Sequence, residues 1–192
     1  MSKTVAVIVG SLRRDSFSKQ TAAAIARLAP RDLRFEQVPI GELPLYNEDL
    51  ETDHPPRAWS VFRERIRKAD AVLFVTPEYN RSVPAALKNA IDVGSRPYGA
   101  SVFDGKPAAV VSMSVGALAG FGANHHLRQS LVFLNMPTLQ QPEAYIGNAG
   151  SLFDADGQIK SAGTEEFLRS FTAAFSSWIE RHQPRVDHAA AA

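Results

Sequence analysis

Residues 5–9 and 71–75 are apolar at every position. A strand with no polar alternation has no face to offer water, so it belongs inside a sheet covered on both sides. The segments between such runs read differently. Residues 16–28 are Ala-rich and helical, stopped by Pro30, and residues 57–69 place apolar side chains at 58, 59, 62 and 66, which is helix spacing. Residues 83–93 follow the same period, with Pro84 expected in the first turn, where its missing N–H does no harm. Residues 124–134 and 164–181 complete the helices, and further strands are expected at 33–38, 106–112 and 138–141. The Pro-punctuated stretch 39–56 reads as a long loop. Buried strands alternating with helices, joined by right-handed crossovers, make a doubly wound α/β sandwich. One domain over 1–183 is expected, with 184–192, ending in an Ala tract, as a frayed tail.

Composition narrows the chemistry. The chain has 192 residues and no cysteine, which excludes disulfides, thiolate metal sites and cysteine nucleophiles. Its formal net charge is +1, too balanced for a nucleic-acid footprint or a polybasic membrane patch. The apolar run before Gly10 is too short for a signal peptide, and no run approaches a membrane span. A cytoplasmic protein is expected. His125 and His126 are adjacent and on a helix point about 100° apart, so no metal site is expected. No Gly-x-Ser-x-Gly elbow is present for a hydrolase.

In an open α/β sheet a ligand sits beyond the carboxyl ends of the strands, where strand order reverses. The loops after the first, third and fourth strands therefore matter most. The first, from Gly10 to Lys19, brings hydroxyls at Ser11, Ser16 and Ser18, the guanidinium of Arg13 and a helix start to one place. That set suits a phosphate dianion, although a plain serine cap with solvated arginines would read the same way. It is neither a Walker A loop nor a dinucleotide fingerprint. The second loop, Pro77-Glu78-Tyr79-Asn80-Arg81-Ser82, is bracketed by Pro77 and Pro84. Such a shaped loop offers backbone groups to the polar edge of a flat heterocycle, with Tyr79 on an adjacent face, or is simply a rigid connection. The third, around Ser114 and Gly116, is rich in glycine, which permits close approach to a planar ligand or plain flexibility.

Together the three loops resemble those of the NADPH-dependent FMN reductases, closest to the bacterial quinone, chromate and azo-dye reductases. The likeness runs through Gly10-Ser11-Leu12-Arg13 with Ser16-Phe17-Ser18, through residues 77–92, and through the loop at 43–50 and His126-Leu127-Arg128-Gln129. It covers roughly residues 4–182. The resemblance implies a flavodoxin-like three-layer sandwich with a five-stranded parallel sheet in the order 2-1-3-4-5. It implies bound FMN, its phosphate on Ser11, Arg13, Ser16, Phe17 and Ser18, and its ring system against Pro77, Glu78, Tyr79, Asn80, Arg81, Ser114 and Gly116. NADPH or NADH would be the co-substrate and quinones the acceptors, with chromate or azo compounds as further ones. The flavin would carry the chemistry in a ping-pong cycle with no catalytic side chain. A homodimer or homotetramer is implied as well. The chain departs from the family at Ser18, where Asn is common, and at Ala119-Gly120, where a glycine pair is common. An electron carrier without NAD(P)H oxidation is the alternative, though flavodoxins are acidic and this chain has a pI near 8.1. A phosphoacceptor domain would need carboxylates where Gly10-Ser11 and Pro77-Glu78 stand.

Overall fold

Strands and helices alternate along residues 2–183, the part of the chain that the computed structural model describes. They run β1 (Lys3–Val9), α1 (Phe17–Leu28), β2 (Leu33–Gln37), α2 (Arg57–Lys68), β3 (Ala71–Pro77), α3 (Ala85–Gly94), β4 (Ala108–Met113), α4 (Phe121–Phe133), β5 (Ala144–Ile146) and α5 (Ala162–His182). The strands form one parallel sheet in the order β2-β1-β3-β4-β5. This is the flavodoxin-like order expected. The expectation for 184–192 lies outside the described residues.

The apolar runs are buried on both sides, as their lack of alternation demands. Val5, Val7 and Val9 face α1 and α5, where Ile25, Phe171, Phe175 and Ile179 cover them. Ala6 and Ile8 face the other layer, closed by Trp59 and Phe62 of α2, Leu87 of α3, and Leu127 and Leu131 of α4. Each such large apolar side chain contributes roughly 1.5–3 kcal/mol by leaving water. Among the described residues, no helix is long and apolar enough to cross a membrane.

Most elements fall within two residues of the sequence reading, and three differences from it have a physical cause. The fifth strand is not at 138–141: there Thr138 makes only an isolated bridge to Ala108, and the ladder proper is Ala144–Ile146 against Val111, Ser112 and Met113. Pro142, which has no N–H to donate, stands in the interruption. Pro84 is the N-cap of α3 rather than part of its first turn. Helix α4 starts at Phe121, three residues early, because left-handed Gly120 turns the chain there, and Phe121 itself is exposed and breaks the apolar period.

Candidate functional site

The order of strands reverses at β1, with β2 on one side and β3 on the other, and a crevice opens beyond the carboxyl ends there. A cleft of about 180 Å³ occupies that position. Its first wall is the turn into α1. Ser16 caps the helix, its Oγ accepting the Lys19 N–H at 3.1 Å while its own O–H remains to be given. Ser11 and Ser18 are 5% and 2% exposed and line the cleft beside it. The first amides of α1, at Phe17 and Ser18, have no intrahelical acceptor. Arg13 also lines the cleft, its Nη2 donating to the Asp15 carbonyl at 3.2 Å across the loop. Hydroxyls, free amides, a helix N-terminus and a guanidinium make a donor set that fits a phosphate dianion.

The facing wall comes from the ends of β3 and β4. Residues 79–82 form a two-residue hairpin: Tyr79 N–H donates to Ser82 O at 3.0 Å and Ser82 N–H to Tyr79 O at 2.9 Å. Asn80 and Arg81 hold its tip at φ +51° and +63°, the conformation of a type I′ turn. Pro77, Glu78 and Tyr79 line the cleft, whereas Asn80 and Arg81 stand outside its lining. The Glu78 side chain turns away, its Oε2 accepting the Ala123 N–H at 2.9 Å and so closing the N-terminus of α4. A β-carbon on Gly122 would come 2.9 Å from Glu78 Oε2 and from the Arg81 carbonyl, so this contact requires glycine. His126 Nδ1 and Ser82 Oγ lie 2.7 Å apart and tie the hairpin to α4 a second time.

From the β4 loop, Ser114 and Val115 line the cleft and Gly116 does not. Gly116 N–H is engaged by Ser114 Oγ at 3.2 Å, and the Ser114 hydroxyl donates to the Gly116 carbonyl at 3.0 Å. The sequence reading missed Met113, Val115 and Ala149, which complete the lining. Ala149 follows β5 and escaped notice because that strand was expected at 138–141; the small run Ala149-Gly150-Ser151 was the available signal. The long loop 39–56 is fixed beside α3. Asn89 Oδ1 accepts the Tyr46 N–H at 2.9 Å, Trp59 Nε1 donates to Pro44 O at 3.0 Å, and Arg63 holds Glu51 through two bonds of 2.8 and 2.6 Å. Burial, then Glu51 and Glu48, push the Tyr46 phenol above its usual range.

Residues 4–151 match the family of NADPH-dependent FMN reductases. A quinone reductase of Pseudomonas putida is 61% identical over 177 residues, 92% of this chain and 95% of that protein. A 2-hydroxy-1,4-benzoquinone reductase of a Burkholderia species is 48% identical, covering 93% and 97% of the two chains. The solved structure of FerB, a flavoenzyme NAD(P)H:(acceptor) oxidoreductase of Paracoccus denitrificans, superposes with a TM-score of 0.88 at 43% identity, over 94% and 98%. With sheet order and relatives in agreement, the chain belongs to the NADPH-dependent FMN reductases, oxidoreductases that pair FMN with NAD(P)H.

Proposed function

We propose that this protein is a quinone reductase, drawing electrons from NADPH or NADH, with FMN held in the cleft between the α1 turn and the 79–82 hairpin. The carrying observation is the meeting of a phosphate-type donor set with a rigid backbone edge in one cleft at the sheet's reversal point. FMN bound there would supply the redox chemistry, the passage of a hydride equivalent from NAD(P)H to the acceptor.

The chain's own residues bind and orient. Ser11, Ser16 and Ser18 give their O–H groups to the phosphate, with Phe17 and Ser18 amides and Arg13 adding charge complementarity. The backbone around Glu78 fixes the ring's polar edge, held still by Glu78's bond to α4 and by the 79–82 hairpin. Ser114 and Val115 close the other edge and Tyr79 screens it from water. One cleft serving both substrates makes them bind by turns, which is ping-pong behaviour. Chromate and azo compounds are further acceptors in this reading.

Residues 1–183 act as one domain, and a cytoplasmic location fits NAD(P)H as co-substrate. A homodimer or homotetramer is supported by Val132, Phe133 and Tyr98, exposed at 77%, 74% and 85% around the end of α4.

The test is steady-state NADPH oxidation by the FMN-loaded protein with 1,4-benzoquinone as acceptor. Parallel double-reciprocal lines are expected. A yellow protein whose NADPH oxidation does not rise on adding quinone would overturn the assignment of the acceptor.

A further inference from the structure

The loop between β4 and α4 turns through two successive left-handed residues, Ala119 at φ +56° and Gly120 at φ +73°. Gly120 is dictated by space, since a β-carbon there would lie 3.1 Å from both the N and O of Met113. Ala119 has no such excuse. An alanine in this region is disfavoured by roughly 1–2 kcal/mol, because its β-carbon crowds the following carbonyl. Something must hold it.

Ser112 does so from the floor of the sheet. Its Oγ donates to the Ala119 carbonyl at 3.0 Å and accepts Asn124 Nδ2 at 3.1 Å. Ser112 and Asn124 are both fully buried. The amide nitrogen supplies the incoming hydrogen bond, so the one hydroxyl proton of Ser112 is left for Ala119. Asn124 is fixed in turn: Nδ2 reaches the Ala144 carbonyl at 3.4 Å, and Oδ1 accepts Arg128 Nε at 2.8 Å. Arg128 Nη1 then donates to the Leu139 carbonyl at 2.9 Å. The chain of bonds runs from the interrupted edge of the sheet through α4 to the Ala119 carbonyl. Ala119 N–H in turn donates to the carbonyl of Gly116 at 3.3 Å, the residue that Ser114 of the cleft wall clasps through its Oγ. In such low-dielectric surroundings each member stiffens the next.

We propose that Ser112, backed by Asn124 and Arg128, is a positioning residue for the flavin site. It latches Ala119 in the left-handed conformation and so fixes where Ser114 and Val115 meet the ligand. This inference rests on reading the cleft as the FMN site.

A double-mutant cycle tests it. FMN dissociation constants, from quenching of flavin fluorescence, and midpoint potentials of the bound flavin are measured for the parent, Ser112→Ala, Ala119→Gly and the double variant. Val111→Ala, on the same strand but the opposite face, serves as a stability control. Ser112→Ala is expected to weaken FMN about tenfold and to move the potential, the loss of one hydrogen bond's worth of positioning. Ala119→Gly takes positive φ freely, so the double variant should return to within about threefold of the parent. Val111→Ala should lower Tm without changing FMN affinity. A loss above about threefold that glycine relieves supports the latch; a smaller loss, or one that glycine leaves in place, overturns it. If Ser112→Ala alone does not accumulate folded, the double variant decides: FMN affinity near the parent's supports the latch, and failure to fold or to bind overturns it. A parent that binds no FMN defeats the cleft assignment instead, so the two failures read differently.

Discussion

The two ends of the sheet are built on opposite principles. At the amino ends of the strands, polar groups close on one another. Asp32 accepts the Ser176 hydroxyl at 2.7 Å and sits 3.5 Å from Lys3, which also reaches Glu180 at 2.7 Å. Asp70 accepts the Thr4 N–H at 2.7 Å, and Lys106 donates to the Ala69 carbonyl at 2.5 Å, burial holding its ammonium below the usual lysine range. At the carboxyl ends, polar groups and strained backbone face outward. Among the described residues, four of the five non-glycine residues with positive φ, Asn80, Arg81, Ala119 and Asn148, lie there. The fifth, Asn135, follows α4 and closes that helix by donating to Val132 O, an ordinary terminal role. Exposed Tyr79, Val115, Leu118 and Phe121 gather at the same end. One end stabilises the fold; the other keeps its donors free and its backbone strained for a ligand.

Substitutions at each end should therefore differ in whether they reach ligand binding. The largest effect is expected for Arg13→Ala: FMN affinity should drop roughly 10- to 100-fold, from one charge-assisted bond of about 1.5–3 kcal/mol, with Tm unchanged. Flavin-fluorescence titration beside a thermal melt checks both halves. Glu78→Ala strips the α4 N-terminus of a largely buried carboxylate partner and should cost about 2 kcal/mol in denaturant unfolding while also weakening FMN. Asp32→Asn should lower stability by about 1 kcal/mol, given its partial exposure, and leave FMN binding alone. The Ser176 hydroxyl, then the nearby backbone and Lys3, outweigh burial and hold the Asp32 carboxyl below its ordinary value of 3.8. Its contribution is therefore complete above that pH and lost as acid takes the pH below the depressed value. Melts of parent and variant should accordingly converge in acid. The smallest change is a gain: Arg81→Gly relieves a left-handed arginine and should add about 0.5–1 kcal/mol. A matched or lowered Tm for that variant would blur the contrast between the two ends.

Much of this is legible in the sequence itself. Unbroken apolar runs at 5–9 and 71–75 demand a doubly covered sheet, and the helix period supplies the covering layers. The edge of the sheet was not legible, because β5 has three residues and its neighbour Thr138 carries a decoy bridge. At the site, local chemistry pointed to Ser11, Arg13 and Ser16, since a cap and a phosphate donor use the same residue types. What escaped was tertiary. That Glu78 caps α4 and that Ser112 holds Ala119 depend on contacts the folded chain makes at a distance, which no spacing in the chain encodes.

FMN and riboflavin differ only in the phosphate, so comparing their dissociation constants on the same protein reads the α1 wall directly. FMN should bind at least about 100-fold tighter than riboflavin, as two or more charge-assisted bonds require, and the gap should narrow in Arg13→Ala. Equal affinities for the two flavins would contradict this.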